Sequence, residues 1–196
     1  MSASRRFSHA IAEGDGISVV AAVEGADTAR AAEAQRAEAL VVNGDPAGLR
    51  EATSLPILWR ATSATVDRAA EVADAVTLTL PDEDEDHDAA QRRHEDALAL
   101  GLDCAVEVHS EEELERALEV LDPEIFLLAP PPGAPDERLE AVLDLLAEVP
   151  AGKLAIADLV VTTEDEVHEL ERAGVDAVIV HAADVSPLAG EAPPEV

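Results

Sequence analysis

Eight short apolar runs rich in β-branched residues recur along the chain, at 17–23, 39–43, 56–59, 75–80, 104–109, 125–129, 154–159 and 177–181. Several are apolar almost throughout instead of alternating with polar residues, which is the pattern of parallel strands covered on both faces. Parallel neighbours must be joined by crossovers, usually helical, and the intervals carry helix signals. Ser110 with Glu113 reads as a capping box, after which Leu114, Ala117, Leu118 and Leu121 form an apolar stripe. Thr163 with Glu166 reads as a second box, followed by Val167, Leu170 and a stop at Ala173-Gly174. Leu139, Val142, Leu143 and Leu146 mark a third amphipathic helix within 136–147. A strand–helix unit repeated eight times predicts an α/β chain closed into a compact (β/α)8 TIM barrel in preference to an open sheet. The expected domain covers 1–186, with a C-terminal tail over 187–196. At 196 residues the chain is lean for this architecture, which typically takes about 250. Short helices after the second and eighth strands account for the difference.

A barrel of this kind builds its site at the C-terminal ends of the strands. Two low-complexity stretches fall there by order along the chain. The acidic run Asp82-Glu83-Asp84-Glu85-Asp86-His87-Asp88 follows the fourth strand, and the proline-rich run 130–135 follows the sixth. The acidic loop 82–88 has the oxygen ligands to grip a divalent cation, or is a solvated loop in an acidic chain. The prolines stiffen their loop. No cofactor motif is read, and no metal site is assigned.

The chain carries 43 acidic residues against 13 basic ones, a formal charge of −30, and Lys153 is its only lysine. The acids are spread along the whole length instead of forming one tail. A uniformly acidic surface with arginine in place of lysine suits molar salt, where screening shortens to about 3 Å and self-repulsion is harmless. The expectation is therefore a halophilic, cytoplasmic protein that requires high salt for stability. Such a surface excludes nucleic acid and anionic membranes as partners, because both need clustered cations. The apolar runs are too short to span a bilayer, and the first residues lack an apolar signal core. Cys104, the one cysteine, sits in an apolar run and reads as a small buried hydrophobe. His9, His87, His94 and His168 are expected to be exposed or half-exposed, and Trp59 to pack at the barrel mouth.

Four segments resemble a known family. They are Arg6-Phe7-Ser8-His9-Ala10-Ile11 leading to Gly16-Ile17-Ser18-Val19-Val20-Ala21, then Leu55-Pro56-Ile57-Leu58, Leu100 through His109 continuing into Ser110-Glu111-Glu112-Glu113-Leu114, and Ala173-Gly174-Val175-Asp176-Ala177-Val178-Ile179-Val180. In order and spacing they are similar to the indole-3-glycerol-phosphate synthase family of ribulose-phosphate-binding barrels, over about 5–185. The resemblance implies a carboxy-lyase of tryptophan biosynthesis, which closes an indole ring with loss of carbon dioxide and water. That chemistry needs a cationic acid, a carboxyl group that manages dehydration, and an anion site for phosphate.

Measured against that pattern, most of the machinery is changed. Ala22-Val23-Glu24 stands where the family has Glu-Val-Lys, and Arg60 stands where a lysine acid would follow the third strand. Arginine keeps the charge but does not readily release a proton, its pKa lying above about 12. Glu107 falls on the family's fifth-strand glutamate, and Asp158 keeps a shorter acid on the seventh strand. Leu128, Ala129 and Pro130 replace paired asparagines and an arginine; Ala157-Asp158-Leu159-Val160 and His181-Ala182-Ala183 replace the glycine and serine loops that admit a phosphate.

The candidate catalytic residues are thus Glu107, Arg60 and Asp158, with His109 and His181 nearby. Two arrangements are open: a metal site from Glu107, His109, Asp158 and His181, or a buried ion pair in which Arg60 satisfies both acids. The expected function is a diverged synthase-like barrel without synthase activity that binds a small ligand or a protein partner. The alternatives are an active synthase, a related lyase or isomerase with a remodelled site, and a structural subunit of a biosynthetic complex.

Overall fold

The apolar runs form strands β1 Ser18–Val23, β2 Ala39–Val42, β3 Ile57–Trp59, β4 Ala75–Thr79, β5 Asp103–Val108, β6 Ile125–Leu128, β7 Leu154–Asp158 and β8 Ala177–Val180. In this computed structural model they close in sequence order into one barrel. Every neighbouring pair is parallel, including β8 with β1. The helices are α1 Arg6–Ala12, α2 Ala26–Ala34, α3 Leu49–Ala52, α4 Val66–Val72, α5 His87–Ala99, α6 Glu111–Val120, α7 Pro135–Glu148 and α8 Glu164–Ala173. The structure describes residues 6–12, 16–60, 66–81, 87–131, 135–161, 163–181, 185 and 188. Most of the acidic run, from 82 to 86, and the end of the proline run, 132–134, lie outside them.

Because successive side chains on a strand point to opposite faces, the wholly apolar strands feed two cores. Val20, Val41, Leu58, Ala105, Leu127, Ile156 and Ile179 fill the barrel interior, and Phe7 and Ile11 of α1 close its lower end. The alternate residues, among them Val19, Leu40, Ile57, Val106, Phe126 and Val178, meet Ala29, Leu114, Val142, Val167 and Leu170 of the surrounding helices. Trp59 faces this outer layer. Its ring is buried, Nε1 donates to the Gly44 carbonyl at 2.8 Å, and the Arg68 guanidinium lies 5.7 Å from the ring centroid.

The N-terminal end of the barrel is stitched by a repeated device. Glu38, Asp74 and Asp176 each sit just before an even-numbered strand. Each donates its backbone N–H to a carbonyl of the preceding strand, at Val19, Ile57 and Ala155 respectively. Each carboxylate then accepts the N–H of that same residue, at 3.0, 2.9 and 2.7 Å. Asp74 also holds Arg50 of α3, and Asp103 anchors α1 by accepting the Ser8 N–H at 2.8 Å.

Helix α8 closes its capping box, with Thr163 Oγ1 accepting from Glu166 N–H at 3.3 Å and Glu166 accepting from Thr163 N–H at 3.0 Å. It ends on Gly174 at φ 99°, a left-handed position that glycine adopts without strain. The box at α6 is only half formed. Ser110 accepts from Glu113 N–H, but Glu113 reaches one residue further and accepts from His109 N–H at 2.7 Å. The crossover after β2 is short, as expected, α3 having four residues. Leu188, placed by the sequence in a tail, is buried against the outer core. His94 departs from expectation. It is buried on α5, where desolvation lowers the imidazole pKa despite the opposing charges of Glu95 and Glu124. Cys104, also buried, has its Sγ 4.0 Å from the His94 carbonyl. Among the described residues no helix is long and apolar enough to cross a membrane.

Candidate functional site

Strand alternation decides which residues reach the mouth. Arg60 lies two residues beyond the interior Leu58, Glu107 two beyond Ala105, Asp158 two beyond Ile156, and His181 two beyond Ile179. All four therefore continue the interior face upward past the apolar layers. Glu107, Arg60 and Asp158 meet there. Arg60 presents Nε and Nη2 as a fork to Glu107, at 2.9 and 2.5 Å, while Nη1 donates to Asp158. Three of the five guanidinium N–H groups are used in this way, which leaves one on each terminal nitrogen.

Asp158 also accepts a bond from His181, its Oδ1 lying 2.7 Å from Nε2. A carboxylate can only accept, so Nε2 carries the proton and Nδ1 is the free ring nitrogen. On His109 the arrangement is reversed. Nδ1 lies 2.5 Å from the Ala129 carbonyl and must donate, and Nε2 is 3.6 Å from Glu107 Oε1. Burial opposes the charge on Arg60. The hydrogen bond to Glu107 and the charges of Asp158 and Glu107 together outweigh it and hold the guanidinium pKa above its ordinary value. Burial likewise opposes the charge on Asp158, but the bond from His181 and the charge and bond of Arg60 leave that carboxyl below its ordinary value. The group is a network of two acids and one imidazole built around a single cation.

Beside it lies an open cavity of about 340 Å³ lined by Arg60, Glu107, His109, Ala129, Pro130, Arg138 and Asp158. The four-residue metal arrangement raised by the sequence does not form. Among the described residues no group of three or more His, Cys, Asp or Glu side chains is placed to hold a metal ion, and Arg60 occupies the space between the two acids.

No family model matches the chain. Partial sequence similarity is found to indole-3-glycerol phosphate synthases. The chain is 38% identical over 98 residues to that of Polaromonas naphthalenivorans (strain CJ2), covering 49% of this chain and 37% of the relative. It is 32% identical over 94 residues to that of Shouchella clausii (strain KSM-K16), covering 44% and 34%. The match thus spans about a third of the length of these relatives. Among solved structures, a mutant tryptophan synthase alpha-subunit from the hyperthermophile Pyrococcus furiosus superposes with a TM-score of 0.66 at 16% identity, covering 86% of this chain and 88% of that one. At that identity the likeness is one of fold, and it agrees with the closed barrel seen here.

Arg138 is the site residue that the sequence did not single out. It stands in the first turns of α7, immediately before the apolar stripe that begins at Leu139. Position carries two signals for it in hindsight. The first turns of a helix that follows a barrel strand overlook the mouth. A cation there also works against the helix dipole, which favours acids at that end. Glu24, standing where the resemblance would place a lysine, is exposed and does not line the cavity.

Proposed function

We propose that this chain is a barrel of the ribulose-phosphate-binding kind, diverged from the indole-3-glycerol-phosphate synthases, which binds a small ligand at its mouth without running the ring closure. One observation carries the reading: the residue at the lysine acid's place, Arg60, is held by Glu107 and Asp158 at once. A guanidinium whose pKa is raised by two acids does not deliver a proton, and acids committed to that guanidinium are not free to manage a dehydration. The measurement is turnover of carboxyphenylamino-deoxyribulose phosphate in molar KCl, followed by indole fluorescence, with Arg60→Ala and Glu107→Ala beside the wild type. The expected result is no indole from folded protein. Turnover that disappears in both variants would overturn the proposal and leave an active synthase with arginine in the lysine's place.

A second reading is favoured by the open cavity and by the Asp158–His181 pair, which fixes the imidazole tautomer and leaves Nδ1 to exchange a proton. On that reading the chain is a lyase or isomerase acting on a related metabolite. The setting proposed for either is a high-salt cytoplasm, supported by the formal charge of −30. Unfolding free energy that rises steeply from dilute buffer to molar KCl would agree with it, and a flat dependence would not.

A further inference from the structure

Arg138 is an unusual arginine for a chain in which acids so outnumber bases. It makes no hydrogen bond or ion pair with any described residue, and its Nε is shielded from solvent without a partner. Buried polar N–H groups nearly always find an acceptor, because leaving one unmade costs about 1–3 kcal/mol. The two acids of the same cavity do not supply one, since Arg60 has taken both. Arg138 thus brings to the cavity wall a guanidinium that hydrogen-bonds to no described residue.

We infer that Arg138 anchors the carboxylate of a small monocarboxylic acid bound in the mouth cavity, an inference that rests on the ligand-binding reading above. A guanidinium offers a planar pair of N–H groups that matches a carboxylate edge to edge. Charge selects the carboxylate over a phosphate. Arg60, Glu107 and Asp158 sum to one negative charge, so a dianion placed beside them meets repulsion that a single carboxylate largely avoids. The volume of about 340 Å³ accommodates a molecule well beyond acetate in size. The rest of such a ligand meets both polar and apolar lining, the Arg60 guanidinium and the His109 ring together with Ala129 and Pro130. This cation comes from α7, after β6, and is distinct from the β7 and β8 loops where the resemblance would put a phosphate.

The test uses the full chain in 2 M KCl, with 4-fluorobenzoate as a carboxylate probe and 4-fluorobenzamide as its neutral counterpart, both followed by 19F NMR. Wild type should saturate with the carboxylate and bind the amide at least tenfold more weakly. Arg138→Gln should lose at least tenfold in carboxylate affinity and leave the amide unchanged, while Arg138→Lys should fall between. Circular dichroism and the unchanged amide binding certify the fold of each variant. Carboxylate affinity unaltered in Arg138→Gln, equal binding of the two probes, no binding of either to wild type, or displacement of the carboxylate by inorganic phosphate at lower concentration would each overturn the inference. Failure of the underlying reading looks different, since it shows as indole production in the turnover assay, whatever the probes do.

Discussion

At the N-terminal end of the strands, Glu38, Asp74 and Asp176 each satisfy a backbone N–H of a neighbouring strand, whereas at the C-terminal end Glu107 and Asp158 share a single guanidinium. The lower acids finish hydrogen bonds that the strand ladder cannot make at its edge, and their partners are fixed in the main chain. The upper acids are satisfied by side chains, Arg60 for both and His181 for Asp158, next to an open cavity. One end is locked by geometry. The other is held by charge, and a change in one side chain there leaves other charges stranded.

The largest effect should therefore follow removal of the mouth cation. Arg60→Ala leaves Glu107 and Asp158 facing each other, with His181 on Asp158 and the more distant His109 beside Glu107. Breaking a buried pair from one side typically costs about 3–5 kcal/mol, and the open cavity places this case near the lower figure. Unfolding in denaturant at molar KCl measures it. The comparison is sharpened by Arg60→Met combined with Glu107→Gln and Asp158→Asn, which removes all three charges together and should regain most of the lost stability. If Arg60→Ala unfolds at the wild-type midpoint, charge does not hold the upper end.

Next in size is the loss of a lower acid. Asp74→Ala deprives the Ile57 N–H of its acceptor and Arg50 of its partner, and should cost about 2 kcal/mol by the same measurement. Binding of the fluorinated probes should be unchanged, since Asp74 is not among the residues that line the cavity. A lost probe affinity in Asp74→Ala would mean that the two ends are coupled and that the division between them is wrong.

The strands were legible from pattern alone, each expected run agreeing with its strand to within a residue at either end, because parallel strands buried on both faces leave a continuous apolar trace. The meeting of Arg60, Glu107 and Asp158 was legible too, through the resemblance that set all three at strand C-terminal ends and the need of buried acids for a partner. The stitching acids were not. Asp74 and Asp176 look like any acidic turn residue in a chain this acidic, and their role appears only when the neighbouring strand's N–H is located. Arg138 escaped for a related reason, since a charged residue on an amphipathic helix reads as its solvent face. His94 was misread because one imidazole on a polar helix gives no sign of which side packs; the register of α5 on β5 turns it inward.

The smallest effect concerns pH and separates two aspartates of opposite company, one buried and one half-buried. Asp158 has its carboxyl held below the ordinary 3.8, because the bond from His181 and the charge of Arg60 outweigh desolvation. Its contribution to stability is complete above that ordinary value and is lost as pH falls through the lower value of the folded state. Asp176 has its carboxyl raised above 3.8, because desolvation outweighs the N–H of Ala155 and its own backbone bond. Its contribution is complete below 3.8 and is lost as pH rises through the higher folded value, so at neutral pH its ionisation works against the fold. Asp158→Asn should then destabilise at pH 7. Asp176→Asn, which keeps an oxygen for the Ala155 N–H while discarding the charge, should leave stability equal or slightly higher, by less than about 1 kcal/mol. Both differences should shrink when unfolding is repeated near pH 3. If the two variants move in the same direction at pH 7, the contrast between an end held by charge and an end held by the backbone fails at its most direct point.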